Sequence, residues 1–259
     1  MIDFHSHTNR SYCADKDLSL DFYEQKLSES SDFDGVCITD HGMAIYFPDS
    51  VAWSWEYIKD SRIFDNHRDF GNERLEKHLK NVALLNSKSI YCGLEVEMSQ
   101  DGKLIYDSYF RRKLHPLIGS VHYLFVSNEY GYLEKDIAGF WLEHNKKLME
   151  SGIDILGHPL RWISSHAKID DSMIEQILNI AQQNSVAIEI NSHNITKTLY
   201  EADKKMIIMA AERGLKISLA VDAHKKVQVG NFDFHNRLFK ECGISLKDLN
   251  LLNLKDIGL

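Results

Sequence analysis

Short apolar runs alternate with longer amphipathic ones along almost the whole chain. Seven of the short runs are rich in Ile, Val or Leu and bounded by polar or glycine-containing segments. They are residues 2–7 (IDFHSH), 34–39 (DGVCIT), 89–96 (SIYCGLEV), 117–122 (LIGSVH), 153–157 (IDILG), 186–191 (VAIEIN) and 217–222 (ISLAVD). This pattern predicts strands. Between them the apolar positions recur at helical spacing. A helix is expected over 19–31, opened by Ser19 as an N-cap. Another is expected over 73–87, with Leu75, Leu79, Val82 and Leu85 on one face. Residues 137–151, 171–184 and 200–213 follow, the first and last ended by Gly152 and Gly214. The tail, 233–258, reads as a helix plus a leucine-rich packing segment.

Strands that alternate with helices imply a parallel sheet with crossover helices, in an open doubly wound form or a closed barrel. No glycine-rich phosphate loop follows any strand, so a nucleotide cradle is unsupported. No repeat or linker divides the chain, and one domain over residues 1–259 is expected. Residues 43–72 break the rhythm. They hold Trp53, Trp55, Tyr46, Tyr57, Phe47, Phe64 and Phe70 without a clean strand. Such a segment is either an insertion packed by its own aromatics or a lid over a site.

Composition narrows the class. A net charge of −8 argues against a partner held through many phosphates. No apolar run approaches membrane length and no secretory leader is visible, so a cytoplasmic protein is expected. Cys13, Cys37, Cys92 and Cys242 lie far apart, with no C-x-x-C pair, and read as reduced thiols. Thirteen histidines are roughly twice the usual share for this length.

The position of those histidines carries the information. In a strand, residues i and i+2 share a face, so His5 and His7 project together. Asp40 and His41 follow the second strand, Glu95 lies near the end of the third, and His122 ends the fourth. His158 follows the fifth, and Asp222 and His224 form D-x-H at the end of the last. In parallel α/β proteins the C-terminal ends of strands form the functional face. Imidazole and carboxylate together suit Zn, Mn or Fe, and the set is too large for one tetrahedral ion. Two or three divalent metals are expected.

Taken in order, HSHT, ITDHG, GLEVEM followed by DG, GSVHYL, GHP and VDAHKKVQVGNF resemble the polymerase-and-histidinol-phosphatase (PHP) superfamily, from residue 3 to about residue 232. The resemblance implies a distorted seven-stranded (β/α)7 barrel. It implies that His5, His7, Glu95 and Asp222 hold one metal, and that Glu95 bridges to a second held by His122 and His158. His41 and His224 would hold a third. Many relatives complete that third set with a histidine six residues after the second histidine of H-x-H; here Cys13 stands there. Either Cys13 ligates as a thiolate, Asp15 substitutes, or only two metals bind. Asp40 would orient a ligand imidazole.

Clustered cations with a bridging carboxylate suit hydrolysis of a phosphate ester by an activated water. Arg161, three residues past His158, offers a bidentate fork to phosphate. Arg10 and Lys197 are further candidate cations, and His193 a candidate proton donor to the leaving group. The leading expectation is a small phosphorylated substrate, with histidinol phosphate first. A phosphodiesterase, 3′–5′ exonuclease or nucleotide phosphatase is the second reading, and a non-catalytic metal-binding regulatory module the third.

Overall fold

The computed structural model describes residues 1–125 and 134–259. Strand β1 (Ile2–Ser6) leads to helix α1 (Leu20–Glu29), whose N-cap Ser19 accepts a hydrogen bond from the Phe22 amide. Strand β2 (Gly35–Ile38) follows, then α2 (Gly42–Tyr46), α3 (Asp49–Ala52), α4 (Glu56–Lys59) and the long α5 (Arg62–Ala83). Next come β3 (Ile90–Cys92), β4 (Leu94–Val96), β5 (Leu117–Ser120), α6 (Glu134–Glu150) and β6 (Ile155–Gly157). The chain continues through α7 (Asp171–Asn184), β7 (Ala187–Asn191), α8 (Lys197–Glu212) and β8 (Lys216–Ala220), and finishes with α9 (Asp233–Cys242) and β9 (Asn250–Leu251).

All the ladders are parallel. One sheet has the order β1-β2-β3 and the other β4-β5-β6-β7-β8-β9. Among the described residues the seven expected strands are therefore nine, in two sheets that the ladders do not close. The run at 89–96 splits at Gly93. Its amide donates to Ile38 on one side (2.8 Å), while the next amide, Leu94, donates to Pro116 on the other (3.1 Å). A Cβ at Gly93 would meet the Pro116 carbonyl at 2.3 Å, so only glycine passes this crossing. The ninth strand is a two-residue pairing of the tail onto β8. Just beyond β8 the sheets approach again: the Asp222 amide donates to His5 (2.7 Å) and the His7 amide to Ala223 (3.1 Å). Phe4 and Cys37 from one sheet pack with Ile118, Ile155 and Ala187 from the other, and Leu252 and Ile257 of the tail join them.

The segment 43–72 is helical rather than irregular. Helix α5, expected from residue 73, starts at Arg62 and buries Phe64, Gly71, Leu75, His78 and Val82 along one stripe. Tyr46 lies flat against its backbone, and a Cβ at Gly71 would fall 2.0 Å from the Tyr46 ring. Tyr46, Phe47, Tyr57 and Phe64 are buried, while Trp53 and Phe70 remain exposed. Among the described residues, no helix is long and apolar enough to cross a membrane.

Helix α9 docks on β7 through a histidine. His235 is buried, one ring nitrogen 2.9 Å from the Ile190 carbonyl and the other unpartnered. Burial pushes its pKa from 6.5 down to about 4. The unfolded chain therefore takes up this proton near pH 6.5 while the native state refuses it. Stability falls as pH drops from about 6.5 towards 4, by as much as about 3 kcal/mol from this residue. His235→Gln keeps a donor for Ile190 and cannot charge. Thermal melts across that window are expected to converge on the acid side, the variant losing less than wild type. Parallel curves would refute the assignment.

Candidate metal centre

The ends of β1, β4, β6 and β8 place their side chains in one buried pocket. His5 and His7 enter from β1, on which Asp3 fixes a local irregularity. Its carboxylate accepts from the His5 amide (3.1 Å), the Ser6 hydroxyl (2.6 Å) and the Val221 amide beyond β8 (2.9 Å). His5 Nε2 lies 3.2 Å from His7 Nε2 and 3.3 Å from Glu95 Oε2. His7 Nε2 lies 3.0 Å from Asp222 Oδ1. His158 Nε2 and His122 Nε2 stand 2.9 and 3.3 Å from Glu95 Oε1. His41 Nδ1 is 2.7 Å from Glu95 Oε2. Glu95 is thus the hub, with both oxygens facing imidazoles.

The outer hydrogen bonds decide which nitrogens carry protons. His5 Nδ1 sits 2.8 Å from Glu189 Oε2, so it holds a proton and turns Nε2 into the pocket. Ser11 donates to Asp40 (2.7 Å) and so accepts from His7 Nδ1 (3.2 Å), which leaves His7 Nε2 bare. Glu97 turns His122 in the same way as Glu189 turns His5, at 2.9 Å. These outer partners aim the Nε2 atoms of His5, His7 and His122 at carboxylates inside the pocket, and Glu95 Oε2 has no well-aligned hydrogen-bond donor. Such a convergence suits cations between the groups. The ligand groupings His5–His7–Asp222, Glu95–His122–His158 and His7–His41–His224 each hold their ligand atoms within 4.8 Å of one another.

The carboxylates compete with burial for the imidazole protons: against burial, Glu189 and Glu95 raise His5, and Glu95 raises His41, well above the usual imidazole value, and Glu95 raises His122 to about 9. Burial pushes the Glu95 pKa upward, but His5, His122 and His41 together hold it well below the usual carboxylate range. Burial, with His41 and His224 nearby, keeps His7 neutral. Burial and Arg161 bring His158 to about 4. Cys13 goes the other way: hydrogen bonds with His224 and His41 outweigh burial and bring the thiol to about 6. Two of the ligand residues carry backbone strain, with φ of +27° at His158 and +56° at Asp222.

Arg161 stands at the rim. Its Nη1 donates to Asp222 (2.9 Å) and its Nε to Asn194 (3.3 Å), while Nη2 is unpartnered. His193 Nδ1 lies 3.5 Å from Asp222 Oδ2, and Gln228 Nε2 is 2.7 Å from its Nε2. The other sequence candidates lie elsewhere. Arg10 turns to the outer side, where its guanidinium reaches Asn81 of α5 (3.0 Å). Lys197 is exposed at the first turn of α8, and among the described residues no hydrogen bond or ion pair joins it to the cluster. Asp15 is exposed and belongs to no ligand grouping among the described residues.

Sequence reasoning passed over Glu97 and Glu189. Glu97 sits two residues after Glu95, and Glu189 two residues before the end of the expected strand 186–191, so the same period of two contained them. Trp55, from the helical segment, stacks on His122 with centroids 6.2 Å apart. Glu189 accepts from the His158 amide (3.0 Å) and Asn191 (2.7 Å) besides holding His5. Glu189→Gln is expected to lower metal affinity roughly 10–100-fold while the chain stays folded. A chelator-competition titration measures this, and unchanged affinity would refute the role.

The PHP domain family model matches residues 3–193 of this sequence. The chain belongs to the PHP domain family. A protein designated a probable phosphatase, from Thermoanaerobacter sp. (strain X514), is 27% identical over 271 residues, spanning 100% of this chain and 91% of that protein. The DNA polymerase/3′-5′ exonuclease PolX of Bacillus subtilis is 24% identical over 190 residues, covering 71% of this chain and 31% of that protein. The crystal structure of histidinol phosphate phosphatase from Lactococcus lactis, complexed with zinc, L-histidinol and phosphate, superposes with a TM-score of 0.57. The match has 16% identity and covers 94% of each chain.

Proposed function

We propose that this protein is a metal-dependent phosphomonoesterase, with L-histidinol phosphate as the first substrate to test. One observation carries the reading: imidazole nitrogens and carboxylate oxygens converge on common points beside an arginine whose buried Nη2 has no hydrogen-bond partner. His5, His7, Glu95 and Asp222 would hold one ion, and Glu95, His122 and His158 a second. Zn, Mn and Fe all suit these donors. The ions supply a water acidic enough to ionise near neutral pH and neutralise phosphoryl charge.

The protein's own groups do the rest. Glu189, Glu97 and the Ser11–Asp40 pair hold each imidazole in its ligating tautomer. Arg161, held by Asp222 and Asn194, would offer its unpartnered, buried Nη2 to a phosphate oxygen. We assign His193, whose ring lies between Asp222 (3.5 Å) and Gln228 (2.7 Å), the role of proton donor to the leaving group. The Thermoanaerobacter relative and the Lactococcus lactis fold neighbour support a small phosphorylated substrate. We read residues 1–259 as one domain and the two sheets as a distorted barrel. The shared interior of Phe4, Cys37, Ile118, Ile155 and Ala187 supports this.

The experiment is a panel of phosphomonoesters, nucleotides included, and a labelled single strand, each with protein loaded with Zn, Mn or Fe. Preferred release of phosphate from histidinol phosphate supports the full reading. Preference for another monoester removes the substrate and keeps the reaction. Release of mononucleotides alone favours the exonuclease reading, which the net charge of −8 opposes. No turnover on any ester by the metal-loaded protein leaves a binding module.

A further inference from the structure

We infer that Asp203 is a positioning residue for Arg161: it holds the Asn194 amide by its nitrogen, so that the amide oxygen keeps the guanidinium in place to meet a phosphate. The inference rests on the reading of Arg161 as a phosphate ligand and extends it to a carboxyl on α8, outside the ligand groupings of the metal centre.

Asp203 is out of place on its helix. The stripe of α8 that faces the interior holds Leu199, Ala202, Met206, Ile207 and Ala210, and Asp203 lies among them with no exposed surface. A carboxyl in such a position costs free energy unless a partner offsets it. Among the described residues its hydrogen-bond partner is the Asn194 amide, whose Nδ2 donates to Oδ2 (3.1 Å) and Oδ1 (3.4 Å). Asn194 is just as deeply buried. Burial pushes the Asp203 carboxyl up to about 8. Protonated or ionised, it keeps an oxygen that accepts from the amide.

The other end of the same amide fixes its direction. Asn194 Oδ1 accepts from Arg161 Nε (3.3 Å). A guanidinium only donates, so this contact takes the amide oxygen and leaves the nitrogen for Asp203. The Asn194 backbone is pinned as well, its N–H donating to the Asn191 carbonyl (3.1 Å). With Nη1 on Asp222 (2.9 Å) and Nε on Asn194, Nη2 is the nitrogen left for a ligand. Without Asp203 the buried Nδ2 has no acceptor. The side chain must then turn to find one, and Arg161 loses one of its two fixed points. An apolar residue would fill the same space at lower cost, but it could not hold the amide.

The test uses metal-loaded full-length protein, with inorganic phosphate as the probe and its affinity read by titration calorimetry. Asp203→Leu is expected to weaken phosphate binding roughly 5–20-fold with ion content unchanged. Its melting temperature should be equal or higher, because the substitution removes a buried carboxyl. Asp203→Asn still offers an oxygen to Asn194 and should stay within about threefold of wild type. In an Arg161→Ala background Asp203→Leu should have no further effect, since both act through one contact. If Asp203→Leu does not fold, Asn194→Ala should show the same loss and the same dependence on Arg161. Unchanged phosphate affinity in Asp203→Leu overturns the inference alone, as does a loss that persists in the Arg161→Ala background. Arg161→Ala that binds phosphate as tightly as wild type overturns the phosphate role of Arg161 with it.

Discussion

Glu95→Gln is expected to lower kcat/KM by at least about 10³-fold and to strip the protein of at least one ion. Glu95 is fully buried, and its two oxygens face five imidazoles, those of His5, His7, His41, His122 and His158. Glutamine keeps the shape and one oxygen but removes the charge that lets one side chain join two cations. It also turns an N–H towards nitrogens whose lone pairs should point at metal. The substitution separates a metal role from a packing role. The variant should retain its secondary structure and lose ions by mass spectrometry. A fully loaded variant with near-normal turnover would sink the bridging role.

Arg161→Ala carries the second large effect, a fall of roughly 10²–10³-fold in kcat/KM with ions retained. Its guanidinium is half committed, through Nη1 to Asp222 and Nε to Asn194, and that commitment fixes where Nη2 points. Arg161→Lys keeps the charge but not the fork, so it should recover only part of the loss. Inorganic phosphate inhibition gives a readout apart from turnover: the inhibition constant should rise in both variants, more in alanine. If ion content falls along with activity, the residue acts by holding Asp222, and the phosphate-binding role fails.

Much of the site was legible because a strand has a period of two and its end has a direction. His5, His7, His41, Glu95, His122, His158, Asp222 and His224 all fall at strand ends, and the structure gathers them. Arg10 and Lys197 show the limit. Each lies close in sequence to a strand end, but on a loop or helix start no period fixes direction, and Arg10 turns out to α5. The break at Gly93 was hidden because the apolar pattern runs straight through it; only the nearness of Pro116 makes it necessary. Helix α5 was half missed because Asp65, Arg68, Asp69 and the aromatics around them blurred the stripe that Phe64, Gly71 and Leu75 continue.

The seam between β1 and the turn after β8 has a consequence for how the protein is made. His5 and His7 are joined more than two hundred residues before the Asp222 that faces them. Until then these two histidines have no carboxylate from the turn after β8 to face. A metal site that needs both would fill only after Asp222 has emerged, so the cation pool met from then on, not earlier in elongation, would determine what the pocket carries.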